Sequence, residues 1–196
     1  MKKMNIGLVG AGFMGKAHMV AFSNMPKLFT DAPFIPVFKT VCDIVPEIAE
    51  DFKERYGFEK ACTDWMDIIN DPEIDIVSVC TPNNQHAAVS IAALKAGKHV
   101  ICEKPFTSNL KELEELVALA DTNKVIMVEA VSTQYLPNTL KIKELLPTLG
   151  QIKIVSANYS QYSSRYDAFK AGEVLPAFNP AMSGGALMDL NIYNIN

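Results

Sequence analysis

No stretch of the chain approaches the roughly 18 consecutive apolar residues that a membrane-crossing helix requires. No block of five or more like charges occurs in its 196 residues either. With 18 basic against 22 acidic side chains the net charge is −4, so the concentrated basic face that nucleic acid demands is missing. The four cysteines, Cys42, Cys62, Cys80 and Cys102, form no CxxC pair and have no histidine at ligand spacing, which speaks against a zinc site. Internal repeats and low-complexity segments are absent too. These absences leave no nucleic acid, membrane or metal as an expected partner and point to small molecules.

Three of the cysteines close apolar, strand-like runs, as small buried thiols do in a reducing cytosol, so a cytoplasmic location is expected. The opening residues imitate a secretory leader, with Lys2 and Lys3 before an apolar run, but Lys16 and His18 interrupt it early. The sequon at Asn158, Tyr159 and Ser160 reads as chance in that compartment.

What is present is an ordinary globular composition, 49% apolar and 20% charged, long enough for one domain and part of another. Short β-branched runs at 5–9, 37–42, 74–80, 99–102 and 125–129 alternate with helix-period segments at 45–56, 85–96 and 110–123. That alternation predicts βαβ units around a doubly wound parallel sheet. Gly57 and Gly97 stand where helices should end, and Asn109 or Ser108 is placed to cap the third helix. The proline-bearing stretch 26–36 reads as an extended spacer loop. Beyond about residue 130 the pattern changes: 136–146 reads as helix, 151–162 alternates as a long strand, 163–180 is turn-rich, and 185–196 returns to helix spacing. The expected organisation is a dinucleotide-binding domain over 1–128, followed over 129–196 by an α/β domain that breaks off unfinished, since one strand makes no stable sheet.

Gly10, Gly12 and Gly15, with Phe13 and Met14 between the last two, form GxGxxG directly after a strand and at the start of a helix. In that context Gly10 permits the tight turn, Gly12 lets backbone approach a pyrophosphate, and Gly15 allows close helix–strand packing. Plain turn glycines are the other reading. Asp43 closes the second strand, 28 residues beyond Gly15, where a carboxylate can accept from ribose hydroxyls and repel a 2′-phosphate. No basic residue occupies 44–46, so NAD is expected over NADP. A helix-start carboxylate fits the same position. Thr81, Pro82, Asn83 and His86 follow the next strand, at the edge where open α/β sheets bind ligands; there Asn83 equally suits a helix cap and His86 a solvated first turn. Glu103 and Lys104 end the run His99–Cys102 at that edge. A lysine there can stabilise an alkoxide as hydride leaves, with Glu103 holding it or reaching the cofactor, unless the two form a surface ion pair.

The segments GLVGAGFMGKAH, VCTPNNQHAAVSIAALKAGKHVICEKP and GGALMDLNIY, together with Asp43, resemble the glucose-fructose oxidoreductase, inositol dehydrogenase and rhizopine catabolism family of NAD(P)-dependent oxidoreductases. The resemblance implies a Rossmann domain followed by an open-sheet domain that carries substrate and mediates homo-oligomerisation. It implies that Lys104 assists proton transfer at the reacting oxygen. It also implies a second pair on one helix face of the other domain, Asp189 and Tyr193, with tyrosine where most members have histidine. Gln134 stands where many members have arginine beside the cofactor, and Asn191 where many have glycine. The implied activity is hydride transfer between NAD and a sugar, polyol or related cyclic alcohol; a non-catalytic NAD-binding module or regulatory subunit is the rival. The YxxxK spacing of Tyr166 and Lys170 imitates a short-chain dehydrogenase site but lies in the turn-rich region.

Overall fold

The computed structural model describes residues 1–195, which divide into two compact units, one ending at Glu129 and one beginning at Ala130. The first unit runs β1 (Lys2–Val9), α1 (Phe13–Leu28), β2 (Phe34–Cys42), α2 (Pro46–Tyr56), β3 (Lys60–Cys62), α3 (Met66–Asn70), β4 (Ile76–Val79), α4 (His86–Lys95), β5 (His99–Cys102), α5 (Leu110–Asn123) and β6 (Met127–Glu129). Its six strands are all parallel and lie in the order β3-β2-β1-β4-β5-β6. The chain goes one way from β1 to β3 and the other way from β4 to β6, so a crevice opens at the carboxyl ends of β1 and β4.

Strand alternation sends apolar side chains to both faces, as a parallel sheet covered on two sides requires. Ile6, Leu8, Val41 and Ile76 pack with Met19 and Phe22 of α1 and Phe52 of α2. On the other face Val9, Val77, Val79 and Val100 pack with Ile68, Val89, Leu94 and Leu116 of α3, α4 and α5. Each such fully buried side chain contributes about 1.5–3 kcal/mol.

Three local departures from the expected pattern have simple causes. The stretch 26–36 is no spacer loop: α1 continues through Pro26 to Leu28, and β2 already begins at Phe34. Burial of Met19 and Phe22 holds the helix despite the missing proline N–H, and the Phe29 amide closes the end on the Met25 carbonyl at 3.0 Å. Pro36 is tolerated because β2 has only β1 beside it there; β3 pairs from Thr40 onward. β3 and α3, at three and five residues, are too short for periodicity to reveal.

The second unit holds α6 (Pro137–Leu145), α7 (Tyr166–Lys170), α8 (Ala186–Asp189) and α9 (Ile192–Ile195), joined by 3-10 turns. Residues 151–162, expected as a strand, join no ladder among the described residues, because an alternating segment becomes a strand only beside a partner. The helix expected over 185–196 is broken at Leu190 and Asn191, and its last residue, Asn196, lies outside the described residues. The Asn191 amide reaches back to the Ala186 carbonyl and the Tyr193 amide to that of Leu190, so the regular ladder is lost between α8 and α9. Among the described residues no helix is long and apolar enough to cross a membrane.

Candidate active site

The three loop glycines do different work. Gly10 has φ +98°, and a Cβ there would stand 2.5 Å from the Cys80 carbonyl oxygen and 2.9 Å from the Thr81 nitrogen. A Cβ on Gly15 would stand 2.4 Å from the Gly10 carbonyl oxygen. Gly12 is the opposite case, with open space where a Cβ would point. It caps α1 without a side-chain hydrogen bond, and no acid stands in the first turn. The helix therefore offers its amides and positive end to an anion seated over Gly12. Phe13, 81% exposed, and Met14 flank this opening with apolar surface.

Asp43 ties the tip of β2 to that loop. Its Oδ2 accepts from the Ala11 amide at 2.9 Å and its Oδ1 from the Val45 amide at 3.1 Å. The carboxylate keeps lone pairs for a diol, and Ile44 beside it is 88% exposed. Across the crevice the Cys80 amide donates to the Val9 carbonyl at 2.7 Å and leads into Thr81 and exposed Pro82. The buried Thr81 Oγ1 has no hydrogen-bond partner among the described residues. Asn83 opens the 3-10 turn Asn83–Gln85 that enters α4. Uncapped helix, space over Gly12, anchored acid and unsatisfied hydroxyl all fit a dinucleotide along this edge.

His86 is neither solvated nor aimed at the crevice. It is buried, with Nδ1 2.7 Å from the Pro105 carbonyl and Nε2 2.9 Å from the Thr81 carbonyl. Both nitrogens are spent on the chain itself, so its place in the cofactor-contact set is corrected to a brace behind the loop.

Glu103 and Lys104 stand just past β5, two strands from β1 on the same carboxyl edge. Glu103 is 6% exposed, and its amide donates to the Val79 carbonyl at 2.9 Å. Its carboxylate turns inward: Oε1 accepts from His18 Nε2 at 3.0 Å and Oε2 from the Lys104 amide at 3.3 Å. Lys104 is half-buried and precedes buried Pro105, while the Phe106 amide donates to Glu129 Oε1 at 2.8 Å. His18, which sequence reasoning used as a break in a leader pattern and as the end of the segment GLVGAGFMGKAH, belongs to this edge, and so does buried Ser78, 2.8 Å from its Nδ1. The signal was legible in spacing: Gly15, His18, Met19 and Phe22 share one face of α1, and Ser78 alternates with Ile76 on the matching face of β4.

The other site residues lie in the second unit. Gln134 sits in the 3-10 turn Ser132–Tyr135. Asp189 ends α8, whereas Tyr193 lies in α9 and stacks on Tyr159 with ring centroids 4.7 Å apart. The expectation of one shared helix face is thus corrected to two short helices around a break. Tyr166 and Lys170 form a short surface turn in which Lys170 pairs with Asp167 at 2.8 Å.

The four thiols are free. Burial pushes the Cys80 and Cys102 thiols up, so neither is a nucleophile at neutral pH. Cys42, which is paired with Cys62 in the β2–β3 ladder, is also pushed up, and the neighbouring thiol pulls that of Cys62 down.

Comparison with known proteins agrees with this geometry. The family described as "Oxidoreductase family, NAD-binding Rossmann fold" matches residues 4–130. Levoglucosan dehydrogenase of Pseudarthrobacter phenanthrenivorans is 46% identical over 129 residues, 65% of this chain and 33% of that protein. The scyllo-inositol 2-dehydrogenase (NADP(+)) of Bacillus subtilis is 41% identical over 149 residues, 76% of this chain and 45% of its own. Among solved structures, a levoglucosan dehydrogenase in complex with NADH superposes with a TM-score of 0.71 at 38% identity, over 75% of this chain and 40% of that one. The chain thus spans a third to about half the length of these relatives. The matched span takes in the glycine loop, Asp43 and the Lys104 segment, and the chain belongs to this oxidoreductase family with its NAD-binding Rossmann fold.

Proposed function

We propose that the protein is an NAD-dependent dehydrogenase that oxidises a sugar, polyol or related cyclic alcohol, or reduces the matching ketone. The observation that carries the reading is the position of Lys104 on the same carboxyl edge as the glycine loop, two strands away. The α1 amides around Gly12, Phe13 and Met14 hold the pyrophosphate, and Gly10 and Gly15 keep the loop tight enough to do so. Asp43 accepts from the adenosine ribose hydroxyls and rejects a 2′-phosphate, which favours NAD although one relative is named for NADP(+). Thr81, Pro82 and Asn83 border the cofactor from the neighbouring strand. The bound nicotinamide supplies the hydride chemistry.

Lys104 then passes a proton to or from the substrate oxygen, and its charge steadies the oxyanion while it lasts. Asp189 and Tyr193 orient substrate and share the proton work, and Gln134 contacts the cofactor from the second unit. That unit begins a substrate domain through which the cytoplasmic protein assembles as a homo-oligomer.

The test is a titration of the full-length protein with NADH and NADPH, followed by nicotinamide fluorescence, on wild type and Asp43→Ala. NADH should bind at least about tenfold more tightly than NADPH. The substitution should erase that preference, since a hydrogen bond to a charged group is worth about 1.5–3 kcal/mol. In a screen of levoglucosan, myo-inositol and D-xylose with NAD, Lys104→Ala should lower kcat about a hundredfold on whichever alcohol wild type oxidises. Equal binding of the two cofactors, or full turnover by Lys104→Ala, refutes the corresponding assignment.

A further inference from the structure

Two of the three histidines converge on the segment that carries Lys104. From α1, His18 reaches Glu103, the residue before the lysine. From α4, His86 reaches the carbonyl of Pro105, the residue after it. Each histidine also faces β4 or its exit: His18 Nδ1 lies 2.8 Å from the Ser78 hydroxyl, and His86 Nε2 lies 2.9 Å from the carbonyl of Thr81, in the loop that follows β4. The lysine's backbone is thus pinned on both sides by side chains rooted in the two helices that border the crevice.

The chemistry of the His18 contact is fixed by its acceptor. A carboxylate only accepts, so Nε2–H donates to Glu103; Nδ1 faces the Ser78 hydroxyl, which can give or take a proton. The trio copies the inventory of a nucleophilic triad with the ring reversed, carboxylate on Nε2 and serine on Nδ1. Ser78 is 0% exposed within β4, so no substrate reaches its hydroxyl and acyl transfer is excluded.

We propose that His18 and His86 are positioning residues that clamp the Glu103-Lys104-Pro105 segment, tying the lysine to the glycine-loop helix and to the Thr81 loop. The proposal rests on the reading of Lys104 as the proton-handling residue. A displacement of about 1 Å at such a group can cost about a hundredfold in rate.

The experiment uses the full-length protein with NAD and whichever of levoglucosan, myo-inositol and D-xylose wild type oxidises. His18→Leu and His86→Leu should each lower kcat at least about tenfold, while the Kd for NADH stays within about threefold of wild type. His18→Gln, whose amide N–H can replace Nε2–H toward Glu103, should recover most of the loss. In the cofactor-free protein, hydrogen exchange at the Lys104 amide should accelerate about tenfold in His18→Leu, because that amide bonds to the carboxylate His18 holds. A kcat within twofold of wild type in both leucine variants, or a loss confined to NADH affinity, overturns the clamp. If the leucine variants do not fold, Glu103→Ala, which removes the acceptor of His18, carries the test, with the same expected loss of kcat at unchanged NADH affinity and the same refuting result. Full turnover by Lys104→Ala overturns the reading of the lysine and the clamp together; an inactive Lys104→Ala beside active histidine variants overturns the clamp alone.

Discussion

Gly10 and Gly12 separate what a residue does for the fold from what it does for the ligand. An alanine at Gly10 must adopt φ +98° and push its Cβ to 2.5 Å from the Cys80 carbonyl oxygen. The left-handed backbone costs about 1–2 kcal/mol and the overpacking about 1–3 more. Gly10→Ala should therefore lower thermal stability by several kcal/mol. Gly12 has φ −81° and open space at its Cβ position, so Gly12→Ala should cost no more than about 1 kcal/mol, the difference between the two residues at a helix N-cap, while NADH affinity falls at least about tenfold. A calorimetric melt beside a fluorescence titration reads both; a stable Gly10→Ala or a tight-binding Gly12→Ala would contradict the assignment.

The thiols give a second residue-scale expectation. Cys62 is half-buried and its thiol is pulled down by the neighbouring thiol of Cys42, so its thiolate forms at lower pH than that of an ordinary cysteine. In alkylation with iodoacetamide, peptide mapping should find Cys62 modified first, with Cys80 and Cys102 last because burial raises both.

At the scale of elements, legibility followed length and locality. α5 was visible because its apolar period and its cap lie within one sequence window. Of the two candidates, Asn109 proves to be the cap: its Oδ1 accepts from the Glu112 amide at 3.1 Å, while Glu112 Oε2 accepts from the Ser108 amide at 2.8 Å. Asn109→Ala should therefore cost about 1 kcal/mol, measurable by urea unfolding, and Ser108→Ala should cost less. The rest failed where a segment's state depends on something far away in sequence. Pro26 reads as a breaker, yet tertiary burial of Phe22 keeps the last turn of α1. The alternation of 151–162 writes a strand, but pairing requires a neighbour that the described residues do not supply. His18 could be placed on the inner face of α1 by spacing alone; that Glu103 would meet it depends on the crossing of α1 over β4 and β5, 85 residues away.

For the whole molecule, the division at Glu129 separates two different kinds of stability. Both buried apolar clusters, one on each face of the sheet, are built wholly from residues of the first unit. So are the glycine loop, the Asp43 anchor and the histidine contacts to the Lys104 segment. The parts proposed to hold the dinucleotide thus share one core, while the proposed partners in proton transfer, Asp189 and Tyr193, lie on four-residue helices outside it. Four residues make barely one helical turn, which has little stability without packing. Binding and turnover should therefore come apart when the chain is cut. A fragment of residues 1–129 should unfold in one cooperative transition and bind NADH with a Kd within about tenfold of the full-length protein, yet oxidise no alcohol. Circular dichroism melts and fluorescence titration check the first two points, and an activity screen the third. A fragment that folds without binding NADH would move the dinucleotide site out of the first unit, and one that turns over substrate would remove Asp189 and Tyr193 from the chemistry.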